Sequence, residues 1–74
     1  MNLQAIAQVE IPGKGWRDYA RERMNDYCET REAAERYAPG MARTLAYQTG
    51  RNSRIVIQDW DDNDYRYTSE ATSA

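Results

Sequence analysis

Histidine is absent from this chain of 74 residues, and cysteine occurs once, at Cys28. A lone cysteine excludes an intramolecular disulfide and fits a reducing, cytoplasmic compartment. With no His and no clear cationic setting to activate it, Cys28 reads as a small buried apolar residue rather than a reactive thiol. No stretch approaches the roughly 20 apolar residues of a membrane span, and the N-terminus lacks a charged-then-apolar signal pattern. A catalytic set of nucleophile, base and orienting group cannot be assembled from what remains. The expectation is a soluble domain without membrane, enzymatic or cofactor chemistry.

What is present is charge, unevenly spread. The formal net charge is −2, too small to name a partner by itself. Residues 31–54 carry five Arg against two Glu, whereas residues 55–74 carry five acidic groups against Arg66 alone. A basic middle is thus followed by an acidic end. The length makes one domain, and a core this small buries only about 60% of the unfolded chain's surface.

The strongest periodic signal is Thr30 to Gln48. Ala34, Tyr37, Ala38, Met41, Ala42, Leu45 and Ala46 keep helical spacing over three turns, which predicts a helix with one buried face. Thr30 is placed to cap its N-terminus and Gly50 to stop it. Pro39 falls within this frame, so the helix either kinks there or stops and restarts in phase. Residues 3–11 alternate, with Leu3, Ala5, Ala7, Val9 and Ile11 on one side, and predict a half-buried strand. Residues 54–58, RIVIQ, and residues 65–68, Tyr65-Arg66-Tyr67-Thr68, predict two more strands, joined by an Asp/Asn-rich turn over 59–64.

Residues 16–28 are ambiguous. Trp16, Tyr19, Ala20, Met24, Tyr27 and Cys28 make a helical stripe, and their alternation as a strand is poor, so a second helix is predicted. The runner-up is a hairpin in which 16–24 pairs with 3–11 across Pro12-Gly13-Lys14-Gly15. The predicted order is β-α-α-β-β: an α+β domain over 1–68 with a three-stranded, mainly antiparallel sheet and helices on one face. Residues 69–74 read as a disordered tail. Monomer and homodimer are both compatible with an open sheet edge.

Three motifs bear on chemistry. Gly13-Lys14-Gly15 lacks the spacing of a phosphate loop and reads as a turn. Asp59, Asp61, Asn63 and Glu70 match positions 1, 3, 5 and 12 of a calcium loop, but Asp64 stands where that loop needs Gly and a strand precedes it. No metal site is therefore expected. Nine Arg, two Trp and six Tyr offer material for nucleic-acid binding. The Arg residues, however, are interleaved with acids in ordinary helical pairs, which makes nucleic acid the lesser alternative.

The hairpin is the remaining candidate. Trp60, Tyr65 and Tyr67 alternate with Asp59, Asp61, Asp62 and Asp64, combining aromatic anchors with carboxylates that steer toward a basic surface. Against this stands the plain reading, in which the tyrosines face the core and the Asp run is a solvated turn. A small, Arg-rich, His-free domain with an acidic aromatic hairpin resembles the small phage-encoded inhibitors, anti-CRISPR proteins among them. The resemblance is one of format and surface, with no diagnostic motif. It implies a non-enzymatic protein–protein interaction module in the host cytoplasm, acting by stoichiometric occlusion of a host complex. The alternative is a nucleic-acid-binding accessory protein using its Arg-bearing helices.

Overall fold

The computed structural model describes residues 1–73. Strands β1 (Leu3–Ile11) and β2 (Gly15–Arg23) form a hairpin, a 3-10 turn (Met24–Asp26) follows, and helix α1 spans Arg31–Thr49. Strands β3 (Ser53–Asp59) and β4 (Asp62–Ala71) make a second hairpin. The sheet is antiparallel in the order β2-β1-β3-β4, with α1 packed mainly over β3 and β4. The expected α+β class with a helix on one face of an antiparallel sheet is what the chain adopts. Its order, however, is β-β-α-β-β, with four strands and one α-helix.

The correction falls on residues 16–28, which hold β2 and the 3-10 turn instead of a second helix. Gly13 and Gly15 have φ of +79° and +81°, and the Lys14 amide donates to the Ile11 carbonyl at 2.9 Å. That turn folds β2 back on β1, the hairpin alternative for this segment. Alternation in β2 is hard to read because Ala7 opposes Ala20 while Gln8 opposes Asp18. Tyr19 is thus an extra residue, a bulge that moves one half of the strand to the opposite parity. Exposure matters as well: apart from Trp16, every residue of β2 is exposed, as a charged edge strand tolerates.

Helix α1 follows its sequence signals. The Thr30 hydroxyl accepts from the Ala33 amide at 3.0 Å, and the Gly50 amide donates to the Ala46 carbonyl at 2.9 Å. Pro39 lies inside one continuous helix, so the stop-and-restart alternative is removed. The buried stripe is Ala34, Ala38, Ala42, Leu45 and Ala46. Met41 is only half-buried and Tyr37 is exposed, so the core face is narrower than the spacing predicts. Alanines along the stripe let the helix sit close on the sheet. Ala34, Ala38 and Ala42 cluster with Leu3, Ala5, Met24, Cys28, Ile55 and Ile57.

Gly50 sits at φ +65° with open space where a Cβ would go. Gly50→Ala should therefore cost only the left-handed backbone penalty, about 1–2 kcal/mol, with no steric clash. Chemical denaturation should show that loss, and an unchanged midpoint would contradict the cap.

β4 continues through Ala71, and the Ser73 amide donates to Asn52 Oδ1 at 3.0 Å. Residues 69–71 are therefore not the loose tail expected from their composition, because pairing with β3 holds them, and Asn52 holds Ser73. Ala74, the last residue of that segment, lies outside the described residues. Among the described residues no helix is long and apolar enough to cross a membrane.

Candidate functional site

The β3–β4 hairpin turns at Trp60 and Asp61, with Asp59 registered opposite Asp62. The strands reach closer to the tip than an Asp/Asn-rich turn over 59–64 implies. Between the Gln58–Arg66 and Asp59–Asp62 pairs the register shifts, leaving Asn63, Asp64 and Tyr65 as extra residues on β4. The Asp62 carboxylate accepts from the Asp64 amide at 3.1 Å and so shapes the turn.

The residues singled out from sequence divide into two groups here. Asp59 is 3% exposed. Its Oδ1 accepts from the Asn2 and Asp61 amides at 2.9 and 3.0 Å, and its Oδ2 from Arg31 at 2.8 Å. Those donors favour the charged form, led by the Asn2 amide and then Arg31, and hold the Asp59 carboxyl down at about 2. Asp59 is an internal clamp joining the chain start, the tip and α1. Arg31 also binds Asp62 at 3.0 Å and lies 4.4 Å from the centre of the Tyr65 ring.

Tyr65 and Tyr67 are half-buried and pack against the core under α1. The Tyr65 hydroxyl donates to Glu35 at 2.6 Å, and burial together with that carboxylate pushes its pKa up. Asp61 sits 3.0 Å from the Met1 ammonium. Trp60, Asp61 and Asp64 are thus the exposed members of the set, with Asp62 half-exposed and tied to Arg31. Ion pairs engage Asp59, Asp61 and Asp62, with Arg31 shared between Asp59 and Asp62, so two cations offset two of the four Asp charges read from sequence.

The calcium-loop residues are not brought together either. Glu70 is registered opposite Arg54, far along β4 from the tip, and both Asp59 oxygens are occupied. Among the described residues no cluster of carboxylates and thiols has metal-holding geometry.

The surface that sequence reasoning missed is the sheet face turned away from α1. Leu3, Ala5, Ile55 and Ile57 face the helix, so the alternate residues face outward. The β-register places Arg23, Gln4, Gln58 and Arg66 in one row across the four strands, and Arg21, Ile6, Val56 and Thr68 in the next. A third row holds Asp18, Gln8, Arg54 and Glu70. Gln8 donates to Asp18 at 2.8 Å and accepts from Arg54 at 2.7 Å, while Arg54 lies 4.2 Å from the Trp16 ring centre. At the tip end Trp60 is 53% exposed, with the Arg21 guanidinium 5.7 Å from its ring centre.

This face therefore has a direction. Trp60, Arg21, Arg23 and Arg66 gather near the hairpin tip, and the acids Asp18 and Glu70 lie toward the far end. Reading β2 as a helix hid it, because Arg21 and Arg23 share a face with Arg54 and Arg66 only when β2 is a strand. An exposed indole with an arginine over it supplies contact area and a fixed charge together. No protein-family model matches the chain, and no curated protein or solved structure matches it.

Proposed function

We propose that this protein is a non-enzymatic interaction module that docks onto a protein partner through the open sheet face, with Trp60 as its central anchor. The observation that carries the reading is the half-exposed Trp60 ring under Arg21, on a face that no helix covers. Aromatic and arginine side chains dominate binding energy when a partner desolvates them. The expected mode of action is stoichiometric occlusion of a surface on a larger complex, in line with the resemblance to phage-encoded inhibitors. Pairing within the tip changes the expected partner: with Arg31 and the Met1 ammonium offsetting two of the four Asp charges, the three charges of Arg21, Arg23 and Arg66 outweigh the rest and favour an acidic surface over a basic one.

A second reading, single-stranded nucleic acid, is favoured by one observation: two indoles on one open face, each with an arginine beside it. Stacking platforms use this combination. Paired acids on the same face, Asp18 and Glu70, weaken it.

Trp60→Ala separates these readings. The substitution should leave the melting temperature within about 2 °C, since an exposed tip residue contributes little to the fold. Parent protein used to capture partners from source-cell extract should retain a protein that Trp60→Ala releases at least tenfold faster, about 1.4 kcal/mol or more. A labelled 15-nucleotide single strand should give no saturable anisotropy change at physiological salt. Saturable strand binding lost in Trp60→Ala would replace the protein partner with nucleic acid. Equal capture by both proteins would remove Trp60 from the interface.

A further inference from the structure

On the other side of the sheet, α1 packs over β3, β4 and part of β1 and leaves the inner face of β2 open. The result is a cleft of about 580 Å³ between α1 and β2. That volume lies within the roughly 300–1,000 Å³ of small-molecule sites. Its floor is Ala5, Ala7, Ala20 and Ile55, and one wall is Met41 and Leu45. The depth comes from the alanines: larger side chains at those positions would fill the space.

One end of the cleft is polar and negative. Glu22 and Tyr37 both line it, on β2 and α1 respectively, and Tyr27 links them. The Tyr27 hydroxyl donates to Glu22 Oε1 at 2.8 Å, and its ring meets Tyr37 edge-on with centroids 5.4 Å apart. Glu22 makes no ion pair among the described residues. Arg21, its neighbour in the lining, turns its guanidinium to the opposite face of the sheet, over Trp60. Tyr19, the bulge residue, adds a second half-exposed ring to the rim. Tyrosine rings attract cations through their faces, and an unpaired carboxylate adds direct charge attraction.

We propose that this cleft binds a small organic cation with an apolar body, its hydrocarbon part on the alanine floor and its ammonium group beside Glu22 and Tyr37. The site is separate from the Trp60 surface and stands or falls independently of it.

Octyltrimethylammonium, octyl sulfate and octyl glucoside are the probes, titrated far below their micelle-forming concentrations and followed by amide chemical shifts. The trimethylammonium probe should bind saturably, with shifts at Ala5, Ala7, Ala20 and Ile55, and about tenfold more tightly than the sulfate. Glu22→Gln, a surface change, should bring the two charged probes to within about twofold of each other. Ala20→Leu, on an exposed edge-strand position, should fill the floor and abolish binding of all three. Equal affinity of parent for ammonium and sulfate probes overturns the proposal, as does binding that both variants leave unchanged.

Discussion

Ile57→Ala should unfold a large share of the molecules at 37 °C. Ile57 is fully buried in β3, registered between Ala5 and Tyr67, and belongs to the cluster under α1. Truncating a buried Ile costs roughly 2–5 kcal/mol, with the upper part of that range reached where the surroundings cannot collapse into the void. Half of the other cluster members are alanines: Ala5, Ala34, Ala38 and Ala42 have no rotamers with which to fill a gap. A domain of this size holds a stability near the lower end of the usual 5–15 kcal/mol, so such a loss removes most of it. In a chain of this length each kcal/mol corresponds to about 4–8 °C in melting temperature, giving an expected fall of about 8–40 °C. A melting temperature within about 3 °C of the parent would place the core elsewhere.

The alanines also explain what sequence could convey and what it could not. Thr30, Gly50 and the alanine stripe were legible because helix ends and faces are set by residues within a few positions of each other. Leu3 to Ile11 was legible because a central strand with one buried side must alternate. β2 failed both tests: an edge strand buries almost nothing, and the bulge at Tyr19 breaks the period on which alternation rests. The cleft was illegible for a different reason. It exists because no second helix covers Ala20 and the half-buried Ala7 beside it, and a missing cover leaves no periodic trace in a sequence.

The site residues divide along the same line. Composition marked the 59–67 hairpin as unusual, and Trp60, Asp61 and Asp64 are exposed there. Composition could not say that Arg31, 28 positions before Asp59, would reach it, or that the Asn2 amide would. Those partners come from tertiary packing of α1 and β1 beside the tip. They convert a run of Asp residues from a free negative surface into a clamp. The open-face row of Arg23, Gln4, Gln58 and Arg66 likewise needs four strands in register, which no single segment encodes.

That clamp predicts how stability should respond to acid. The Asp59 carboxyl is held at about 2, against an ordinary value near 3.8 in the unfolded chain. A carboxyl with a depressed folded pKa contributes stability that is complete above the unfolded value and lost as pH falls toward the folded one. The Asp59 contribution should therefore be full at pH 5–7, decline from about pH 4, and be nearly gone at about pH 2. Asp59→Asn keeps the size of the side chain but offers one acceptor oxygen where three donors converge, and removes the charge paired with Arg31. Melting temperatures of parent and variant should differ most at pH 7 and converge as the pH approaches 2, because other carboxylates titrate alike in both. Arg31→Met should narrow the difference only in part, since the Asn2 amide remains and is the larger cause of the depression. Two melting curves that run parallel from pH 7 to pH 2 would show that Asp59 titrates as an ordinary surface carboxylate, and that the tip is not anchored through it.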